Sequence, residues 1–240
     1  MHPASGIGRV PRPGDGSASA PRRPRGTRSL SLLALAVALL VGGHAAAQRR
    51  EDSDRYDATF RKYSKRFFGP AFDWQYFKAQ GEAESGLEPR ARSRVGARGV
   101  MQLMPGTYAV IKAARHERMG SIEDPEWNIA AAILHDRDLW SGLADHPEDA
   151  ERVRFMFGSY NAGEGPIMRA KSIARASQLD ATRWSSIARV APQVQRWRYT
   201  ETLPYVQKIE SNYEQLRAQP TRQNAPRRGS GERPERRARG

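Results

Sequence analysis

Apolar side chains recur at three- and four-residue steps through most of residues 48–216, which is the spacing of amphipathic α-helices. The apolar positions of the first predicted helix are Tyr56, Phe60, Tyr63 and Phe67. Ser53 or Asp54 is placed to cap this helix, and Gly69-Pro70 ends it. A second helix is predicted from Asp73 to about Gly86. No run of alternating β-branched residues is long enough to indicate a sheet, so the pattern predicts an all-α fold.

Aspartate, proline and glycine mark the ends of the later helices. Asp124-Pro125-Glu126 combines an N-cap, a proline at the first helical position and an acid in the first turn. Pro147 opens a further helix that Gly163 closes, and Pro166 opens the next one. Residues 182–190 and 201–217 complete a set of roughly seven or eight helices, which we assign to one domain.

A glycine-rich stretch interrupts the helical pattern between Gly86 and Thr107. Its sequence is GLEPRARSRVGARGVMQLMPGT, and its apolar part is too short for a full helix. Loops that a rigid helical scaffold holds in place often carry chemistry. This loop is therefore the first place to look for a site.

The two ends of the chain have different compositions from the middle. Residues 30–41, LSLLALAVALLV, follow an arginine-rich segment and precede Ala45-Ala46-Ala47, which predicts a cleaved export signal over residues 1–47. A buried core helix or an uncleaved anchor are the alternatives. Residues 217–240 lack apolar periodicity and predict a disordered basic tail, either merely solubilising or a tether to an anionic wall or outer-membrane surface. Residues 48–216 remain as the folded domain.

The formal net charge of +14 first suggests a nucleic-acid binder. Residues 1–47 carry six Arg and one Asp, and residues 217–240 carry eight Arg and two Glu, so the ends account for 5 + 6 = +11 and the middle for 14 − 11 = +3. A nearly balanced middle gives little support to nucleic-acid binding, and none is expected. The absence of Cys excludes disulfides, thiolate metal sites, a Cys nucleophile and a lipid-modified N-terminal Cys.

The remaining candidates for chemistry are carboxylates. Glu84 ends the second predicted helix, next to the glycine-rich loop, and a carboxyl against aromatic walls is favoured in its protonated form. Glu82 and Glu88 are competing candidates that spacing alone does not separate from Glu84. No metal-binding histidine pattern accompanies them.

Four ordered blocks resemble the lytic murein transglycosylases of the goose-lysozyme-like class, and above all the catalytic domains of their F-type enzymes. The blocks are Glu84-Ser85 with Pro89 and the segment 93–107 (SRVGARGVMQLMPGT), Asn128-Ile129-Ala130-Ala131, the segment 158–163 (GSYNAG) and the segment 201–206 (ETLPYV). They depart from the family pattern at Ala132, where a Gly is usual, and at His135-Asp136, where an aromatic-Leu pair is usual.

The resemblance implies a lysozyme-like fold with Glu84 as the sole catalytic acid and base and with no cofactor or metal. The implied reaction cleaves the β-1,4 bond between N-acetylmuramic acid and N-acetylglucosamine in peptidoglycan and leaves 1,6-anhydromuramoyl ends. The implied substrate-binding residues are Ser93, Met101, Gln102, Met104, Tyr160 and Asn161, and Tyr160 would hold Glu84 in place. The implied location is the periplasm or cell envelope of a bacterium. A hydrolytic goose-type lysozyme and a non-catalytic wall-binding protein remain as alternatives.

Overall fold

The computed structural model describes residues 54–114, 119–146 and 148–218. The predicted export signal and almost all of the predicted basic tail lie outside these residues. In the described ranges the chain forms eight α-helices, a short 3-10 helix and isolated β-bridges, and no β-strand. The prediction of an all-α fold is confirmed.

The helices follow one another with short connections, apart from the glycine-rich loop between the second and the third. Their bounds are α1 (Asp57–Phe68), α2 (Gln75–Ser85), α3 (Pro105–Ala114), α4 (Pro125–Ser141), α5 (Asp149–Ala162), α6 (Glu164–Ala176), α7 (Trp184–Val190) and α8 (Tyr199–Ala218), with the 3-10 helix (Ala191–Gln193) after α7.

The start of α4 and the end of α2 agree with the capping residues read from the sequence. The Asp124 side chain accepts a hydrogen bond from the Glu126 amide, and Pro125 is the first residue of α4. Gly86 ends α2 with a φ of 66°, in the left-handed region that glycine adopts without strain. Three details differ from the expectation. Helix α1 begins at Asp57 with Tyr56 at its N-cap and no capping side chain, so the predicted cap at Ser53 or Asp54 is wrong. Helix α6 begins two residues before Pro166, and α3 is a helix that the pattern does not predict individually.

Helix α4 lies at the centre of the core, since every residue from 128 to 134 is buried. It packs against α1 and α5, while α8 packs along α2 and α5. Four phenylalanines are fully buried in this core: Phe60, Phe77, Phe155 and Phe157. Each stabilises the fold by about 1.5–3 kcal/mol relative to an exposed ring. The packing of α2 against α8 brings the end of α2 beside a helix that is distant in sequence.

None of the helices in the described ranges is long and apolar enough to cross a membrane.

Candidate active site

The C-terminal end of α2 is joined to the glycine-rich loop through Ser85. The Ser85 hydroxyl donates to the Val100 carbonyl oxygen at 2.7 Å and accepts from the Glu88 amide at 3.1 Å. Because Ser85 follows Glu84 directly, this contact places the last turn of α2 against the loop. The helix end and the loop are therefore held in direct contact.

The loop is held by hydrogen bonds within its own backbone and by Gln102. Arg98 and Leu103 exchange backbone hydrogen bonds, and the Gly99 amide donates to the Ala91 carbonyl oxygen. The Gln102 side-chain amide donates to the Ala91 and Gly99 carbonyl oxygens at 3.2 and 2.9 Å, from a backbone with a φ of 45°. The nitrogen of this amide is thus used to build the loop.

Asn128, at the start of α4, anchors the loop to the core. Its Oδ1 accepts from the Met101 amide at 2.8 Å, and its Nδ2 donates to the carbonyl oxygens of Arg98 and Ile122. Asn128 is fully buried and so close to Gly99 that a Cβ on this glycine would lie 2.6 Å from Nδ2. The loop conformation therefore depends on an asparagine and a glycine that come from separate sequence blocks.

Glu84 is partly buried, and its carboxylate is bound by a tyrosine of α8. The Tyr205 hydroxyl donates to Glu84 Oε1 at 2.6 Å. Burial raises the pKa of Glu84 to about 7, although the Tyr205 hydrogen bond and the positive charge of Lys208 oppose this rise. The negative charge of Glu201 adds to the increase in this pKa. Near neutral pH, Glu84 is therefore divided between its acid and its carboxylate forms, as a general acid and base requires.

Tyr160 differs from the expectation that it would hold Glu84. Its hydroxyl donates to the Met101 carbonyl oxygen at 2.8 Å, so it supports the loop, and the hydrogen bond to Glu84 comes from Tyr205. The negative charge of Glu84 still raises the pKa of Tyr160, after burial as the first cause. Tyr160 thus belongs to the site through the loop and through electrostatics.

The other expected substrate-binding residues lie in or near the loop, and their side chains differ in how far they are exposed to solvent. Met101 is fully buried, and its sulfur packs against Gly81, so its side chain has no surface to offer a sugar. Met104 is 42 % exposed, and Asn161 is partly exposed on the last turn of α5. The Ser93 hydroxyl accepts from the Ala97 amide at 2.9 Å within the loop. Met104 and Asn161 are the better placed for contact with a substrate.

The structure separates the three candidate carboxylates. Glu88 is exposed, and its Oε1 accepts from the Arg90 amide at 3.1 Å. Glu82 is on α2, two residues before Glu84, and therefore points to the opposite side of the helix. Of the three, Glu84 is the one that accepts a hydrogen bond from Tyr205. In the described part of the chain, no group of three or more histidine, aspartate or glutamate side chains is placed to hold a metal ion.

This arrangement agrees with the comparison to known families. A model of the family described as "Transglycosylase SLT domain" matches residues 63–182, which are half of the chain. The chain belongs to the transglycosylase SLT domain family. The match includes Glu84, the glycine-rich loop, Asn128 and Tyr160, and it ends before α8.

Individual relatives of this SLT domain match well over half of the chain. Membrane-bound lytic murein transglycosylase F from Shewanella pealeana is 28% identical over 151 residues, which are 63% of this chain and 29% of the relative. An inactive Glu-to-Gln mutant of the lytic transglycosylase Slt from Pseudomonas aeruginosa has a similar fold, with a TM-score of 0.54, 23% identity and coverage of 70% of this chain and 25% of that chain. The 70-kDa soluble lytic transglycosylase in complex with bulgecin A has a TM-score of 0.54, 23% identity and coverage of 76% and 28%. This chain therefore spans less than a third of the length of these relatives.

Two residues of the site were not among the expected site residues. Tyr205 and Asn128 both lie in blocks that carried the resemblance, in the segments 201–206 and 128–131. The signal was thus present in the sequence. The sequence did not show that Tyr205 contacts the end of α2 or that Asn128 contacts the loop.

Proposed function

We propose that this SLT domain is a peptidoglycan lytic transglycosylase that cleaves the β-1,4 bond between N-acetylmuramic acid and N-acetylglucosamine and leaves 1,6-anhydromuramoyl ends. The observation that carries the proposal is a partly buried glutamate with a pKa raised to about 7, bound by Tyr205 at the edge of the glycine-rich loop. Family membership and the names of the relatives support this choice of substrate.

In the first step, Glu84 acts as the acid. The Tyr205 hydroxyl occupies Oε1, so the transferable proton is on Oε2. Glu84 donates this proton to the glycosidic oxygen as the bond from that oxygen to C1 of the muramoyl residue breaks. The N-acetylglucosamine side leaves as an alcohol, and positive charge develops at C1, close to the newly formed carboxylate.

In the second step, Glu84 acts as the base. Its carboxylate removes the proton of the muramoyl C6 hydroxyl while the C6 oxygen attacks C1, which closes the anhydro ring and restores the acid. The hydrogen bond from Tyr205 stabilises the carboxylate between the two steps. An internal hydroxyl has a high effective concentration at C1, so no activated water is required.

The carboxyls near Glu84 are poorly placed to activate a water, which favours this mechanism over hydrolysis. Glycosidases that hydrolyse their substrate use two carboxyls on either side of the bond. The negative charge of Glu201 raises the pKa of Glu84, but Glu201 is paired with Arg198 at 2.9 Å. The negative charge of Glu84 raises the pKa of Asp136, but Asp136 is fully buried. Glu84 thus remains as the carboxyl available to the sugar.

The test is a digestion of purified sacculi with product analysis by mass spectrometry. We expect anhydromuramoyl products from the wild type and none from Glu84→Gln, which should still bind and pellet with sacculi. Glu82→Gln and Glu88→Gln are matched controls that should keep activity. The inactive Glu-to-Gln mutant of the Pseudomonas aeruginosa relative supports the choice of substitution. Reducing-end products would indicate a lysozyme, and binding without clearing by the wild type would indicate a wall-binding protein.

We also propose a location in the bacterial cell envelope, which the name of the membrane-bound relative from Shewanella pealeana supports. In this location, the eight Arg and two Glu of residues 217–240 would hold the domain near an anionic surface. Deleting residues 219–240 should weaken sacculus binding at low salt and spare cleavage of short soluble glycans. Unchanged binding at low salt would refute the tether.

A further inference from the structure

A second carboxyl is buried behind Glu84. Asp136, on α4, has no exposed surface, and neither has Gln80, which precedes Glu84 by one turn on α2. Gln80 Nε2 donates to Asp136 Oδ1 at 3.4 Å. Gln80 and Glu84 are four residues apart, so they lie on the same face of α2. Asp136 is therefore connected to the helix turn that carries Glu84.

The other two polar atoms of this pair lack a partner among the described residues. They are Asp136 Oδ2 and Gln80 Oε1, and both are buried acceptors. A buried carboxylate with one hydrogen bond and a buried amide oxygen with none would each carry a large desolvation cost. A proton on Asp136 Oδ2 removes both costs, because the O–H then donates to Gln80 Oε1. One hydrogen bond from a protonated Asp136 Oδ2 to Gln80 Oε1 would therefore satisfy both unpartnered atoms.

We propose that Asp136 is an uncharged positioning residue whose Oδ2–H donates to Gln80 Oε1 while Gln80 Nε2 donates to Oδ1. This reciprocal pair fixes the turn of α2 that carries Glu84 and keeps water and charge out of the space behind it. Its effect on catalysis rests on the function proposed above, whereas the protonation of Asp136 does not.

The groups around Asp136 explain why it stays uncharged. The electrostatic contacts of the pair come from three helices: Glu84 on α2, Tyr160 on α5 and Tyr205 on α8. Burial and the negative charge of Glu84 raise the pKa of Asp136 well above its usual value. Among the residues that the structure describes, no cation contributes to this pKa. When Glu84 ionises during the reaction, Asp136 therefore remains protonated. Both proton transfers of the proposed reaction are then made by Glu84 alone.

The first experiment reads the protonation state directly. Carbon-13 NMR of the aspartate carboxyls in full-length Glu84→Gln should show an Asp136 signal that does not titrate between about pH 5 and about pH 8. Comparison with Asp136→Asn identifies this signal. An Asp136 carboxyl that is already ionised at about pH 5 would overturn the proposal, whether or not the protein cleaves peptidoglycan.

The second experiment measures the pH profile of sacculus digestion. Asp136→Asn preserves an uncharged reciprocal pair, so the basic limb of its profile should stay where it is in the wild type. If Asp136 were charged, the same substitution would remove a negative charge near Glu84 and move this limb to lower pH. Such a movement would contradict the proposal.

Asp136→Leu leaves both polar atoms of Gln80 without a partner, so water enters and the pKa of Glu84 falls. A fall of about one unit would reduce activity on the basic limb roughly tenfold. The double variant Gln80→Leu/Asp136→Leu removes both partners and should return the basic limb to its position in the wild type.

A role limited to stability predicts altered unfolding with an unmoved pH profile in every variant, and that outcome would also overturn the proposal. A wild type that shows no activity on sacculi would refute the proposed function, and the NMR result on Asp136 would still stand.

Discussion

Tyr205 and Glu84 are 121 residues apart in the sequence, and a hydrogen bond of 2.6 Å joins the tyrosine hydroxyl to Oε1 of the glutamate. The contact exists because α8 packs along α2, so α8 completes a site whose other parts come from α2, the glycine-rich loop, α4 and α5. Tyr205 acts on Glu84 in two ways. It fixes the direction of the carboxyl, and it opposes the rise in pKa that burial causes.

Tyr205→Phe should raise the pKa of Glu84 above about 7, because a hydrogen bond to the charged form is lost. The basic limb of the pH profile then moves to higher pH. The rate falls roughly tenfold, since the carboxylate formed in the first step loses about 1–1.5 kcal/mol of stabilisation. Digestion rates measured over a range of pH check both effects. Tyr160→Phe is the matched control, because its hydroxyl binds the Met101 carbonyl oxygen, and it should leave the basic limb nearly in place.

Lys208→Met should also raise the pKa of Glu84, by a smaller amount. The Lys208 ammonium donates to the Ala83 carbonyl oxygen at 2.9 Å and lowers this pKa through its charge. Because Lys208 is exposed, water and salt screen the effect, and a shift of no more than about half a unit is expected. Lys208→Arg keeps the charge and should keep the profile. A movement of the basic limb to lower pH in Lys208→Met would contradict the assignment.

Gly99→Ala should destabilise the protein more than Gly96→Ala. Both glycines have positive φ values, 75° and 96°, so alanine is strained at either position by about 1 kcal/mol. At Gly96 a Cβ meets nothing within 4 Å, whereas at Gly99 it meets the Asn128 side chain at 2.6 Å. We expect a loss of about 1 kcal/mol for Gly96→Ala and about 2–4 kcal/mol for Gly99→Ala. Urea unfolding measures both, and equal losses would refute the role of the Asn128 contact.

The contrast between Glu84 and Tyr205 shows what could be predicted from the sequence. Local features make Glu84 one of three candidate carboxylates: an amphipathic helix, the glycine that ends the helix and a loop rich in glycine. The resemblance of Glu84-Ser85 to the family motif is what distinguishes it from Glu82 and Glu88. Tyr205 was not identified, because its function depends on the packing of two helices, which periodicity does not specify. The resemblance implies the contact with Glu84 for Tyr160, whereas the structure shows it for Tyr205.

For Met101 and Asp136, the sequence likewise did not predict that the side chain is buried. A methionine in an apolar segment fits a core and a cleft equally well, and only the packing against Gly81 places Met101 in the core. The sequence marked His135-Asp136 as a departure from the family pattern. It did not indicate that Gln80 faces Asp136 across the interior.

Glu84→Gln should stabilise the folded protein at high pH. A carboxyl whose pKa rises from 4.5 to about 7 on folding contributes stability that is fully present below pH 4.5 and is lost as the pH increases through about 7. The wild type therefore becomes less stable over this interval, because folding opposes the charge on Glu84. Glutamine cannot ionise and avoids this loss. We expect a difference of roughly 1–3 kcal/mol in favour of Glu84→Gln above about pH 8, and almost none near pH 4.5.

Denaturant unfolding of both proteins at a series of pH values measures this difference. Glu82→Gln serves as the control on the same helix and should not reproduce the increase with pH. If Glu84 has the proposed role, its partly buried position is a trade-off between activity and stability. If Glu84→Gln were instead less stable than the wild type at high pH, the carboxylate would be the favoured form in the fold. Glu84 would then lack the acid that the first step of the proposed reaction requires.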